Sequence, residues 1–262
     1  NTPVMLQLRI RACHVHGRFV AKDNRRPAFA LRDALAQPRR DTNRIVLPPA
    51  SFQHEKEKIA TRWPAAIKFI AERGLNDVFD GERGDLGIIL QGGMYNGVIR
   101  ALERLGLSDA YGNTRIPLYV LNVTYPLVDA EVVRFCAGKR ALLVVEEGQP
   151  DFIEQALHAI LRKAGVQTAL AGKDVLPMAG EYTGDVLLAG LRSFFAERAP
   201  DLALRPAPAH AAHPALQALN GVVPARPAGF CTGCPERPIF TAVKMVEKEI
   251  GALHGSADIG CH

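Results

Sequence analysis

The segment Cys231-Thr-Gly-Cys234-Pro-Glu-Arg-Pro238 carries the most specific chemistry in this sequence. Two cysteines with two residues between them have the spacing of a zinc knuckle or a redox pair. Further zinc ligands would have to come from His254 or from Cys261 and His262, which are adjacent and poorly placed to share one tetrahedral ion. A thioredoxin-type pair would need a preceding strand, which the sequence lacks. What the segment does offer is a Gly233-Cys234-Pro235 turn just before a helix predicted from about Ile239 to Ile250. There the first-turn amides have no intrahelical acceptor, glycine lets a ligand approach the main chain, and proline removes no needed donor. Such a turn suits an anion or a polar heterocycle.

Three other clusters invite the same question. Gly92, Gly93 and Gly97 follow an apolar run and open a helical pattern, where main-chain amides could hold a phosphate. Their Gly-Gly-x-x-x-Gly spacing is neither the dinucleotide fingerprint nor a Walker loop, so the plain reading is a tight strand-to-helix turn. Glu146-Glu147-Gly148 ends another apolar run, the position at which parallel sheets place function. Cys13-His14-Val15-His16 offers three metal-ligand types, but neighbours on a strand point to opposite faces, and no fourth ligand is near. No metal site is expected.

The elements that must position these residues can be read from periodicity. Val4 to Arg11 alternates apolar with polar and reads as a strand. Ser51 is a candidate N-cap for a helix from Phe52 to Arg73, kinked near Pro64 and ended by Gly74. Leu86–Gln91, Leu118–Val123 and Ala141–Glu146 are apolar runs, each followed by a helical pattern: Tyr95–Leu105, Asp129–Cys136 and Asp151–Lys163. Apolar strands alternating with helices predict a parallel sheet covered on both faces. From Arg198 to Gly229 the sequence turns to alanine and proline and reads as a linker.

With 262 residues, 48% hydrophobic and 23% charged, and a mean hydropathy of zero, the composition excludes disorder, collagen and coiled coil. No apolar run approaches the roughly 20 residues of a membrane span. Five cysteines, odd in number and scattered, point to a reducing, cytoplasmic setting rather than a disulfide scaffold. The net charge of +5 is uneven. Through Arg62 there are 13 Lys and Arg against 5 Asp and Glu, and beyond it 19 against 22. The basic arm contains Arg25-Arg26, Arg39-Arg40 and Arg44 without interleaved aromatics, so it reads as a solvated or interdomain face rather than a nucleic-acid footprint. Both ends look like cuts, and a fragment of a longer polypeptide is expected.

The motif Cys231 to Pro238, the helix after it, and Ala257-Asp-Ile-Gly-Cys261-His262 together resemble the opening of the thiamine-diphosphate-binding domain of the indolepyruvate:ferredoxin oxidoreductase alpha-subunit family. The resemblance extends along the chain. It implies an α/β fold class: a three-layer, transketolase C-terminal-like domain with a parallel sheet, flanked by the end of one thiamine-binding-type α/β domain and the start of another. The implied boundaries are residues 1–50 for the end of a pyrimidine-binding domain, 51–84 for a helical connector and 85–199 for the transketolase C-terminal-like domain. Residues 200–228 would be the linker and 229–262 the start of the thiamine-diphosphate-binding domain.

By the same resemblance, Gly233, Cys234, Asp258, Ile259, Gly260 and Cys261 line the cofactor pocket, largely through main chain. Glu236 stands where many relatives have histidine and alters the charge facing the cofactor. The implied whole is an oxidoreductase that decarboxylates an aryl 2-oxo acid, indolepyruvate or a similar arylpyruvate, to an acyl-CoA. It would use thiamine diphosphate and magnesium, iron–sulfur clusters elsewhere in the assembly, coenzyme A, ferredoxin and a second subunit or domain. Neither nucleic acid nor membrane is an expected partner. The family's activating glutamate, its Gly-Asp-Gly metal motif and its cysteine clusters would lie outside Asn1 to His262, so the catalytic residues are unknown and the chain alone is expected to be inactive. Two other readings stand beside this one: a zinc-stabilised binding module using Cys231, Cys234 and Cys261, and a basic nucleic-acid binder working through residues 1–62.

Overall fold

Short apolar runs without polar alternation are stable only where both of their faces are covered. In the computed structural model, which describes residues 4–8, 18, 20, 30–38, 45–206, 219, 222 and 233–254, three such runs are strands buried along their length. In chain order the elements are α1 (Leu31–Ala36), α2 (Ala50–Glu57), a π-helical stretch (Lys58–Arg62), α3 (Trp63–Glu72), β1 (Asp77–Phe79) and β2 (Leu86–Gln91). A 3₁₀ turn (Gly92–Met94) leads to α4 (Tyr95–Leu105), followed by β3 (Leu118–Leu121), α5 (Asp129–Cys136), β4 (Ala141–Val145), α6 (Phe152–Ala164), β5 (Ala169–Ala171), α7 (Gly184–Arg198) and α8 (Arg237–Ile250). The chain forms two units, Asn1–Pro206 and Ala207–His262.

In the first unit the sheet order is β1-β3-β2-β4-β5. β2 pairs in parallel with both β3 and β4, so Ile88 faces Leu118 on one side and Leu143 on the other. β4 and β5 are also parallel. The parallel α/β arrangement expected from the three apolar runs is therefore present. At the far edge β1 runs antiparallel to β3, with Asp77 opposite Val120, and so extends the sheet upstream of Asp85.

The pleat sends alternate residues to opposite faces. Ile88 joins the layer under α4 and α7, with Leu102, Leu191 and Phe194, while Ile89 joins the layer under α5 and α6, with Val132 and Leu157. Each fully buried Leu, Ile or Phe contributes about 2 kcal/mol, so these two layers outweigh any surface ion pair. Gly106 and Gly165 end α4 and α6 in the left-handed conformation at φ of 78° and 68°, where a side chain would be strained.

Two expectations differ from what is found. Val4 to Leu8 is not a strand, and Val4, Met5, Leu6 and Leu8 are exposed; residues 9–11 lie outside the described residues. An alternating run becomes a strand only when a neighbour accepts its hydrogen bonds, and among the described residues none does. The connector helix begins at Ala50 after Pro49, with Ser51 inside it and no side-chain cap. Its irregularity is the π stretch just before Trp63, with Pro64 in the first turn of α3, where its missing N–H costs least.

At the amino ends of β2 and β4, Asp85 accepts from Arg83 Nε at 3.0 Å and from Arg140 Nε at 2.9 Å. The hydrogen bond from Arg83, helped by Arg140, holds its carboxyl down at about 2, against an ordinary value of 3.8. A depressed carboxylate stabilises the fold above its unfolded pKa, and that contribution is lost as pH falls through the folded value. Urea midpoints should therefore drop between pH 4 and 2 and drop less in Asp85→Asn. The pair is partly solvated, so the difference should be about 1 kcal/mol or less. Parallel pH profiles for both proteins would contradict this assignment.

Candidate functional site

Right-handed crossovers fix where this sheet can open. The helix after β2 lies on one face and the helix after β4 on the other, while β2 and β4 are neighbours. Their carboxyl ends thus form the crevice at which a doubly wound sheet changes direction, the usual ligand position in such folds. Two of the clusters singled out from sequence meet there: Gly92-Gly93 after β2 and Glu146-Glu147-Gly148 after β4.

The glycines serve packing. A Cβ on Gly92 would lie 2.5 Å from Asn122 Oδ1, and one on Gly97 would lie 2.7 Å from Leu187 Cδ1. Asn122 is itself held, donating from Nδ2 to Asp77 Oδ2 at 2.7 Å and to the Leu75 carbonyl at 3.0 Å. The strand-to-helix turn is tight because two neighbours press on it, which favours the plain reading of the glycine pattern.

The acidic pair is built into a network. Glu146 is the only buried charged side chain among the described residues. Its carboxylate accepts from the Ile153 amide at 2.9 and 3.1 Å and from the Glu154 amide at 3.1 Å, and so caps the first turn of α6 from a distance. The Glu147 amide donates to Gln91 Oε1 at 2.9 Å, tying the end of β4 to the end of β2. Glu147 Oε1 accepts from the Tyr182 amide at 2.6 Å. Lys173 reaches in from the loop after β5 and donates to the carbonyls of Glu146 and Gly148 and to the Tyr182 hydroxyl. Burial raises the Glu146 pKa and lowers that of Lys173. Burial, reinforced by the nearby glutamates, pushes the Tyr182 phenol up to about 12. Lys173 and Tyr182 were not singled out from sequence.

In the second unit, Gly233 has a φ of 82°, the left-handed region that favours glycine, with nothing within 4 Å of the place a Cβ would take. Cys234 is buried, Glu236 is half-buried at the N-cap of α8, and Pro238 sits in the first turn. This is the open glycine turn leading into a helix that the sequence predicts. It fits main-chain contact with a polar ligand, and no group of three metal-ligating side chains occurs among the described residues. Asp258, Ile259, Gly260 and Cys261 lie outside the described residues, as do Cys231 and the Cys13 to His16 cluster, so the pocket and the zinc alternative rest on the sequence alone. No described helix is long and apolar enough to cross a membrane.

The first unit is thus a mostly parallel α/β domain of the doubly wound kind, with Gln91 and Glu147 joined across the carboxyl ends of β2 and β4. Residues 75–173, from the end of the connector through β5, match the family model described as the indolepyruvate ferredoxin oxidoreductase middle domain. The chain is 29% identical over 271 residues to the indolepyruvate oxidoreductase subunit IorA of Methanothermobacter thermautotrophicus, an alignment covering 99% of this chain and 39% of that protein. It is 28% identical over 218 residues to IorA of Archaeoglobus fulgidus, covering 83% of this chain and 32% of that one. Along its length the chain is thus similar to indolepyruvate oxidoreductase alpha subunits, the family that its motifs resemble, and residues 75–173 match that family's middle domain. It spans about two fifths of the length of the first of these curated relatives. Among solved structures, a 2-oxoglutarate:ferredoxin oxidoreductase from Magnetococcus marinus overlaps 55% of this chain and 23% of its own, at 17% identity and a TM-score of 0.37.

Proposed function

We propose that this chain is part of a thiamine-diphosphate-dependent oxidoreductase that converts aryl 2-oxo acids of the indolepyruvate type to acyl-CoA, with ferredoxin as electron acceptor. The observation that carries the reading is the similarity to IorA along 99% of the chain. Because those relatives are named as subunits, a partner subunit is part of the proposal, as is a cytoplasmic location.

Within that reading the second unit is the cofactor side. Gly233, Cys234 and Glu236, with Asp258, Ile259, Gly260 and Cys261, would hold thiamine diphosphate, and magnesium would bind through residues still to be identified. When bound, the cofactor supplies the electron sink that a 2-oxo acid needs in order to lose carbon dioxide. The chain's own contribution near Gly233 is main-chain donors at a helix start. Their attraction for a diphosphate is on the order of 1 kcal/mol, against about 8 kcal/mol for micromolar binding, so most of the hold must come from other residues. The first unit supplies no ligand in this reading.

The test is an assay of the assembly purified from the native host through a tag on this chain. Indolepyruvate should drive reduction of ferredoxin, dependent on coenzyme A and thiamine diphosphate, at least tenfold faster than 2-oxoglutarate does, while the isolated 262-residue chain stays silent. Equal or greater activity with 2-oxoglutarate would overturn the aryl assignment. Activity without thiamine diphosphate would overturn the cofactor.

A further inference from the structure

Lys173 has more to say about the crevice than a charged residue at a loop usually does. An ammonium group has three N–H donors and no acceptor. Here Nζ lies 2.5 Å from the Glu146 carbonyl, 2.7 Å from the Gly148 carbonyl and 2.9 Å from the Tyr182 hydroxyl, so all three donors are used. The Tyr182 hydroxyl donates its own proton to the Pro177 carbonyl at 2.7 Å, which leaves its oxygen facing the ammonium as an acceptor. Glu146, Glu154, Asp151 and Glu147 all add favourable charge. None of the three nearest oxygens belongs to a carboxylate, so the contact differs from an ordinary ion pair. It is a cage of three neutral oxygens, matched to the three N–H donors of an ammonium, with carboxylates further out.

The main chain that forms the cage is fixed from outside it. The Lys173 amide donates to Glu154 Oε2 at 3.0 Å, and the Glu147 side chain holds the Tyr182 amide. Leu176, between the two cage residues, is buried against α7. The oxygens would therefore stay in place if the lysine stem were removed.

We propose that the loops after β4 and β5 form a monovalent-cation site whose resident cation is the Lys173 ammonium, and that truncating this side chain leaves a site for a small primary ammonium ion or potassium. This inference stands apart from the proposed function, because its test reads the stability of this chain without substrate or cofactor.

The experiment is thermal unfolding of the full 262-residue chain and of Lys173→Ala at matched ionic strength in ethylammonium, potassium or tetramethylammonium chloride. In tetramethylammonium, which has no N–H and is too bulky for the cage, the variant should melt about 5 °C below the wild type. In ethylammonium or potassium most of that loss should be recovered, rising with the logarithm of ion concentration as binding linkage requires, while the wild type shows no such difference. Equal midpoints for the variant in all three salts would overturn the site, as would a wild type that shifts as much as the variant.

Should Lys173→Ala not fold, amine acetylation of the wild type and of Tyr182→Phe gives an independent reading. Tyr182→Phe keeps the ring and removes one of the three oxygens. Lys173 should react at least tenfold more slowly than the exposed Lys56 and Lys68 in the wild type, because the cage must open first, and faster in Tyr182→Phe. A Lys173 as reactive as those two, or one indifferent to Tyr182→Phe, would overturn the proposal.

Discussion

Glu146→Ala is expected to lower the unfolding free energy by about 3 kcal/mol, one of the two largest single-residue effects argued from this structure. The substitution removes the acceptor for the Ile153 and Glu154 amides, which open α6 and have no intrahelical partner. An orphaned buried donor costs about 1 to 3 kcal/mol, and two are created here. The same change removes the negative charge that complements the helix start. Glu146→Gln keeps one acceptor oxygen and should lose only about 1 kcal/mol.

The pH dependence separates the wild type from both variants. Burial raises the Glu146 pKa, so the ionised carboxylate costs stability that protonation would restore. This contribution is fully present below the unfolded pKa and lost as pH rises through the folded value, and both Glu146→Ala and Glu146→Gln should lack it. Because Lys173 is held by the Glu146 main-chain carbonyl, neither substitution removes an oxygen of the ammonium cage. Urea unfolding of the three proteins at neutral pH decides the matter. A Glu146→Ala loss no greater than that of Glu146→Gln would show that the carboxylate does not cap α6.

The legible part of this fold is the part whose sequence pattern has a single physical solution. Leu86–Gln91 and Tyr95–Leu105 are found at their expected limits because an uninterrupted apolar run must be covered on both faces and an amphipathic run must lie on the layer that covers it. β1 and β5 are three residues each, partly exposed at the sheet edges, and so short a segment has no period to read. Val4–Leu8 has the right alternation but no partner strand among the described residues, and pairing is what makes a strand.

The candidate site divides along the same line. Glu146-Glu147-Gly148 could be flagged because strand ends in parallel sheets are a general location for function. Lys173 could not, since it binds main-chain carbonyls contributed from far along the sequence, and no spacing of side-chain types records such a contact. The same holds for Asn76, which donates to the Tyr119 hydroxyl at 3.3 Å and to Glu131 at 3.2 Å and accepts from the Val123 amide at 3.0 Å, pinning the connector to the sheet.

Gly81→Ala is the second large effect, at about 3 kcal/mol or more, and its cause lies in main chain meeting main chain. The loop between β1 and β2 crosses the segment leading into β3 so closely that a Cβ on Gly81 would lie 2.6 Å from both the Ile116 carbonyl carbon and the Pro117 nitrogen, and 2.8 Å from the Arg115 carbonyl carbon. No side-chain rotation relieves such a contact. The crossing is also pinned on both sides, by the Arg83 amide donating to the Arg115 carbonyl at 2.9 Å and the Ile88 amide donating to the Pro117 carbonyl at 3.0 Å. Making room for one methyl group therefore means moving the entry of β2 away from that of β3 and lengthening those bonds, at the upper end of what overpacking costs. Gly84→Ala is the control: three residues on in the same loop, a Cβ there meets nothing within 4 Å, so its effect should stay within about 0.5 kcal/mol. Denaturant midpoints for the two variants should differ widely. Equal midpoints would mean that the loop yields freely and that the β2 to β3 crossing is not the rigid junction its hydrogen bonds describe.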